Sequence, residues 1–213
     1  DFDRDYYINL GSNVVVQDKR KNSDINAMMH GYSYLPFNNS YGSFAQGGEY
    51  DLGYMNFGIF TGQGGNGDYS ANIGKTFWLG NNFGLRTTVG QLNEQDSWLG
   101  NYSNGILAVG DNNTTNYGQL GVSYQIGNNV LSFDYSKGFS NINTTNNSLI
   151  KGFNNVETES YKLAYEIHKD THNTFGWSFS LPNHISSGSM DLEVAESVNL
   201  DGTINYTNIN SDL

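Results

Sequence analysis

Between residues 117 and 139, apolar and polar side chains alternate with a period of two, interrupted once at Gly127-Asn128-Asn129. A period of two puts successive side chains on opposite faces of an extended chain. A helix would need apolar residues three and four apart. Over residues 117–126, Leu120, Val122, Tyr124 and Ile126 share one face, and Gly121, Ser123 and Gln125 the other. Over residues 130–139, Leu131, Phe133, Tyr135, Lys137 and Phe139 oppose Ser132, Asp134, Ser136 and Gly138. Glycine and asparagine accept the backbone angles of a tight turn, so this stretch predicts a β-hairpin with arms of about ten residues.

The unit recurs. Residues 69–79 and 83–92 flank Gly80-Asn81-Asn82, with Ala71, Ile73, Phe77 and Leu79 on one face of the first arm. Phe83, Leu85, Thr87 and Val89 continue that face after the turn, against Gly84, Arg86, Thr88 and Gly90. Residues 159–168 and 173–181 flank Lys169-Asp170-Thr171-His172. There Tyr161, Leu163, Tyr165 and Ile167 oppose Lys162, Ala164, Glu166 and His168, and Phe175, Trp177, Phe179 and Leu181 oppose small residues. A fourth hairpin is predicted over 190–199 and 203–208 across Leu200-Asp201-Gly202. Two earlier arms, 5–17 (broken near Gly11-Ser12) and 50–61, bring the number of strands to about ten. Short turns join the arms within hairpins, while long polar links (18–26, 62–68, 93–116 and 141–158) join one hairpin to the next. Tight turns on one rim and long loops on the other are the habit of outer-membrane barrels.

Alternation does not say which face meets solvent. The polar face is rich in Gly, Ser, Thr, Ala and Asn rather than in the Lys and Glu of an ordinary solvated sheet. Its charged members, Arg86, Asp134, Lys162, Glu166 and His168, mix signs, as a lumen network does. The arms match the length of a tilted membrane-crossing strand, and Trp78, Phe139, Tyr161 and Trp177 near arm ends suit interfacial girdles. The predicted lipid-facing set is Leu120, Val122, Tyr124, Leu131, Phe133, Leu163, Tyr165, Trp177 and Phe179. The expectation is an all-β chain: one domain over residues 1–213, an antiparallel up-and-down β-barrel of about ten to twelve strands built from consecutive hairpins. The chain opens on Asp1-Phe2-Asp3-Arg4 and finishes on Asn210-Ser211-Asp212-Leu213 rather than on a strand with a terminal aromatic. Either the chain is part of a longer protein whose last barrel strands lie beyond Leu213, or this ending counts against the barrel expectation. The competing expectation is a soluble sandwich or barrel made of the same strands.

Composition narrows the partners. The net charge of -11, from 21 acidic against 10 basic residues, leaves no basic footprint for nucleic acid. With no cysteine there is no disulfide framework and no thiolate metal site. No apolar run is long enough for a transmembrane helix. Four histidines, His30, His168, His172 and His184, are scattered; His168 and His172 flank a turn beside Glu166 and Asp170 and read as solvated residues rather than metal ligands. Gly64-Gly65-Asn66-Gly67-Asp68 approaches a calcium-binding glycine-aspartate repeat but occurs once and is one residue short, so no cofactor is expected beyond weak calcium. Glu157, Glu159, Asp191, Glu193 and Glu196 invite a carboxylate-pair reading, but Asp191 and Glu193 alternate with Leu192 and Val194 as one polar strand face. Tyr32, Tyr34, Phe37, Tyr41 and Phe44 beside Asn38-Asn39 suit either sugar stacking or a girdle.

Two segments resemble a known family. Phe2-Asp3-Arg4-Asp5-Tyr6-Tyr7-Ile8-Asn9-Leu10 is similar to the entry of the C-terminal region of subtilisin-like (S8 family) autotransporter proteases. Phe179 to Leu192, with its Leu181-Pro182 and Gly188, followed by Asp201-Gly202-Thr203-Ile204, resembles a later hairpin of that region. The resemblance implies a translocator-like barrel at the outer membrane or cell surface of a Gram-negative bacterium, carrying an N-terminal passenger such as a subtilase, or else a barrel-like C-terminal domain of a secreted subtilase. It does not imply catalysis here. No subtilase Asp, His or Ser motif occurs, and Ser187-Gly188-Ser189-Met190 lacks the threonine and the following alanine of the nucleophile segment. The expected function is non-catalytic anchoring or translocation, with outer-membrane lipid and the passenger as partners. The alternative is a soluble extracellular β-domain that self-associates or binds a cell-surface partner.

Overall fold

The computed structural model describes residues 4–9, 15–18, 45–51, 55–62, 67–80, 82–99, 101–102, 105–110, 112–168 and 174–213. In chain order the strands are β1 (Arg4–Asn9), β2 (Val15–Asp18), β3 (Ala45–Asp51), β4 (Asn56–Gly62), β5 (Tyr69–Leu79), β6 (Phe83–Glu94), β7 (Ser97–Trp98), β8 (Asn101–Tyr102), β9 (Asn113–Ile126), β10 (Asn129–Asn141), β11 (Ile150–His168), β12 (Thr174–Val198) and β13 (Ile204–Asp212). One 3-10 turn, Gly105–Leu107, is the only helical element among the described residues. The chain is all-β and antiparallel, as the alternation predicts. Eleven strands form one sheet in the order β13-β12-β11-β10-β9-β6-β5-β4-β3-β1-β2, and β7 and β8 form a small ribbon beside it. From β3 to β13 the main sheet is an up-and-down meander. Its end strands, β2 and β13, do not pair with each other among the described residues.

The arms predicted to flank the turns at 80–82, 127–129 and 200–202 pair as hairpins, while the predicted turn 169–172 lies outside the described residues. Gly80 and Gly127 have φ angles of 68° and 61°, in the left-handed region where a side chain is costly. Other boundaries differ. Arm 5–17 is a short hairpin, and β1 rather than β2 sits next to β3. Arm 50–61 divides between β3 and β4. The arms predicted as separate hairpins over 173–181 and 190–199 are one continuous strand, β12, of 25 residues. The second half of the predicted loop 141–158 likewise belongs to β11, which begins at Ile150. Irregularities let these strands run on past residues that read as breakers. The β11–β12 ladder shifts register four times, Asn155 is left-handed at φ 50°, and Gly188 sits at φ 141° with its α-carbon so close to Val156 that a β-carbon would meet Val156 Cα at 2.9 Å.

Candidate functional site

The two faces of the sheet divide by chemistry in an unusual sense. In β9 and β10 the buried positions include Gln119, Ser123, Ser132, Asp134 and Ser136, whereas the apolar partners on the opposite face are exposed. Leu120 is 46% exposed, Phe133 41%, Leu163 39% and Phe179 71%. In a water-soluble fold the proportions would be reversed, because burying large apolar side chains is the main driving force and burying Ser and Asn contributes little.

Register lines the outer residues into rows. Leu79, Phe83, Tyr124, Leu131, Tyr165 and Trp177 form the row nearest the short turns. Phe77, Leu85, Val122, Phe133, Leu163 and Phe179 form the next, and Lys75, Thr87, Leu120, Tyr135, Tyr161 and Leu181 the third. Every predicted lipid-facing residue lies in these rows. Leu120, Tyr124, Leu131, Phe133, Leu163, Trp177 and Phe179 are exposed, and Val122 and Tyr165 half-buried. With Ile126 and Phe175 below and Val89 above, the belt runs seven to nine residues along a strand. At about 3.3 Å per residue and a tilt of about 40°, that is roughly 20 Å of height, close to the apolar band of outer-membrane barrels. Aromatic rings mark both borders. Tyr165 and Trp177 lie 6.0 Å apart near the short turns, and Tyr135 and Tyr161 lie 5.2 Å apart at the other border. Trp78, predicted for the same girdle, instead follows the parity of Ser70 and Asn72, at the turn end of the inner face.

The inner face holds the predicted charges. Arg86, Gly121, Asp134, Lys162 and Ser180 occupy one cross-strand row, with Gly121 leaving space between the first cation and the carboxylate. Asp134 and Glu166 are buried, and Arg86 and Lys162 half-buried. The side chain of His168 lies outside the described residues, as do His30, His172, residues 64–66 and the aromatic stretch 32–44.

The same face is crowded by side chains laid across glycines of the neighbouring strand. Asn72 lies over Gly58, Thr88 over Gly74, Tyr117 over Gly90 and Glu166 over Gly176. A β-carbon at Gly90 would sit 2.6 Å from the Tyr117 hydroxyl and ring, and one at Gly58 2.7 Å from Asn72 Oδ1. The Tyr117 hydroxyl is itself 3.2 Å from Ser70 Oγ, two strands away.

Above the belt, toward the long connections, polarity reverts. Here Val109, Ile142 and Val156 form a small dry core with Trp98, Phe153 and Ile185 against it. The described residues of segment 95–112, together with 142–149, fold onto the strand ends as a crown. Asn113 is its hub: its amide donates to the Ser97 and Gly110 carbonyls at 2.7 Å each, and its Oδ1 accepts from the Asn143 backbone N–H. Trp98 Nε1 donates to Ser140 Oγ at 3.0 Å, and the Leu99 N–H to Glu94 Oε2 at 2.7 Å. Sequence reasoning missed these residues, because an Asn- and Gly-rich link reads as solvated loop.

Of the carboxylates singled out in the sequence, Glu157 and Glu159 share one lysine, while Asp191 and Glu193 have partners of their own. Lys137 Nζ lies 2.7 Å from Glu157 and 3.6 Å from Glu159, the Tyr161 hydroxyl donates to Glu159, and Lys151 pairs with Glu193 at 2.9 Å. Asp191 accepts from Asn210 and Asn154, which hold its carboxyl below the usual carboxylate range. Asp68, from the glycine-rich link, accepts the Gln95 N–H at 2.7 Å; burial nonetheless pushes its carboxyl above its ordinary value. No cluster of three potential metal ligands occurs among the described residues. Ser189 Oγ accepts a hydrogen bond from Asn210. No family model, no curated protein and no solved structure matches the chain.

Proposed function

We propose that the chain is a non-catalytic, membrane-embedded β-barrel domain of a Gram-negative outer membrane. It would anchor, and help to translocate, an N-terminal passenger such as a subtilase. The observation that carries this reading is the inverted polarity of the wall: exposed Leu, Phe and Trp rows back onto a face of buried Ser, Thr and Asn that also carries Arg86, Asp134, Lys162 and Glu166. Such a wall is stable where hydrocarbon bathes the outside and a narrow polar lumen fills the inside. Closure of the sheet belongs to the reading, since hydrocarbon tolerates no open strand edge. The row of Arg86, Asp134 and Lys162 would hold a passing or resident polypeptide by its backbone and charges. The resemblance of residues 2–10 and 179–192 to autotransporter subtilases supplies the passenger. Folding into phosphatidylcholine vesicles tests the membrane reading: heat-modifiable gel migration and release by detergent alone are expected. Recovery as a monomer in plain buffer overturns it.

One observation favours a second reading. Residues 175–187 of β12 pair with β11 on one side, and β13 reaches only from Ser189 onward, so an apolar strand edge stands open among the described residues. Open edges take up further strands. A soluble extracellular domain would self-associate there or bind a cell-surface partner. Size-exclusion chromatography without detergent would then show discrete dimers or larger species.

A further inference from the structure

The hairpin of β12 and β13 outgrows the sheet. The last rung between β11 and β12 joins Ile150 to Leu192, and one further bond runs from the Glu193 N–H to the Leu149 carbonyl. Beyond that β12 has only β13 for a neighbouring strand, and β13 ends the sheet order among the described residues. A two-stranded ribbon is marginally stable in water, and this one leaves Val198, Leu200, Ile204 and Tyr206 exposed. Two backbone bonds fix the polarity of its edge. The Thr203 carbonyl accepts from the Asn199 N–H, and the Leu213 N–H donates to the Gly188 carbonyl, so both residues point at β12. The one irregularity in the ladder adds its extra residue, Glu196, to β12. Alternation along β13 is therefore unbroken. Asn205, Thr207, Ile209 and Ser211 turn their N–H and C=O groups to β12, and Ile204, Tyr206, Asn208, Asn210 and Asp212 turn theirs to the open side. Neither lysine nor proline, the usual guards of a free edge, occurs in β13.

We propose that the free edge of β13 takes up an extended, basic segment of a partner polypeptide as its next strand. Charge selects the partner. Residues 188–213 hold Asp191, Glu193, Glu196, Asp201 and Asp212 and no lysine, arginine or histidine. A second copy would set acid against acid, which paired strands resist. Asp191 and Glu193 stand directly across from Asn210 and Asn208, so they share a face with those edge residues and with Asp212. On that face an incoming strand meets Ile204 and Tyr206 toward the tip and carboxylates toward the base. Its matching side chains are apolar at the tip end and Lys or Arg at the base end, while its backbone pairs with the outward-turned residues. The lowest rung of β13 joins Asp212 to Ser189, which lies level with Asn154, above the belt. The docking edge therefore stands whether or not the wall below it meets lipid.

The test uses the whole chain, in phosphatidylcholine vesicles or in plain buffer, whichever it folds in. The probe is the labelled peptide Lys-Thr-Lys-Thr-Lys-Thr-Val-Thr-Val, which places its lysines at the base when it pairs antiparallel to β13. Binding is read by fluorescence anisotropy, with the glutamate-for-lysine analogue as control. Wild type is expected to bind the lysine peptide and to exchange the amide hydrogens of Tyr206, Asn208 and Asn210 more slowly when it does. Asn208→Pro removes an N–H that faces away from β12. The ribbon should keep its own ladder and its circular dichroism, yet bind the peptide about tenfold more weakly. Asp212→Asn should weaken binding about threefold. Equal binding by wild type and Asn208→Pro means diffuse attraction to an acidic surface and overturns the proposal. So does an analogue that binds as tightly as the lysine peptide, or a wild type that binds neither. A wild-type dimer that Asn208→Pro dissolves gives the edge to a second copy and overturns it as well.

Discussion

The belt and the crown share strands but solve opposite problems. Below Tyr161, β11 turns Leu163, Tyr165 and Ile167 outward and Ala164 and Glu166 inward. Above it, the same strand keeps the same parity but exchanges chemistry: Val156 faces in at 1% exposure, while Glu157 and Glu159 face out toward Lys137. One strand therefore carries two cores, a polar one below and an apolar one above. Period two sets only how many faces a strand has. On the membrane reading, whether the apolar residues go inward is decided by what lies outside, which would change partway up this sheet.

The largest break in this comparison is expected from a charge placed in the crown. Val156→Asp would bury an unpaired carboxylate in a dry cluster, at a cost of about 3–5 kcal/mol. Limited proteolysis should then cut the 95–112 and 142–149 segments while the belt still migrates as a heat-modifiable species. Phe133→Arg asks the matching question of the belt. On a lipid-facing wall it costs about 2–4 kcal/mol of insertion free energy, read by denaturant titration in vesicles. On a solvated sheet it would change stability by no more than about 0.5 kcal/mol, so a small value would dissolve the distinction between the two regions.

Gly90→Ala probes the crowded inner face and should cost about 1–3 kcal/mol, because its methyl meets the Tyr117 ring and hydroxyl and the Ala71 carbonyl. Pairing it with Tyr117→Ser should recover part of that loss. The smallest effect is at Asp191 in the crown, whose carboxyl is held low by Asn210 and Asn154. A depressed carboxylate contributes stability above its unfolded value, near 3.8, and loses it as pH falls through the folded value. Asp191→Asn should therefore flatten the acid limb of the crown's pH–stability curve and leave the neutral region alone. Asp68 has the opposite sign. Burial raises its pKa, so its charge weakens the fold above the raised value, and Asp68→Asn should remove that loss without freeing the Gln95 N–H.

How legible was this in the residues? The alternation of the strands is legible, their ends much less so. The turns at Gly80 and Gly127, the sharing of faces and the outward position of Leu120, Phe133 and Phe179 all follow from parity and turn chemistry. The inner row of Arg86, Asp134 and Lys162 was also found, because alternation places its members one by one. Its spacing across strands was not, since register depends on which residues face each other through glycine gaps such as Gly121. The crown was missed for a different reason. Asparagine and serine are common in turns, and nothing local marks Asn113 as a buried hub whose partners are 3, 16 and 30 residues away. The merging of two predicted arms into β12 went unread because Pro182 and Gly188 look like strand ends, whereas bulges absorb both.

That merger has a mechanical consequence. The hairpin of β12 and β13 tips over at Asn199–Thr203, and from there β12 descends without a loop into the wall, a run of roughly 80 Å at about 3.3 Å per residue. A tug applied at the tip along the strand axis loads the interstrand ladder in shear, many bonds at once, rather than peeling them one by one. A load on that tip would pull on a beam rather than on a leash.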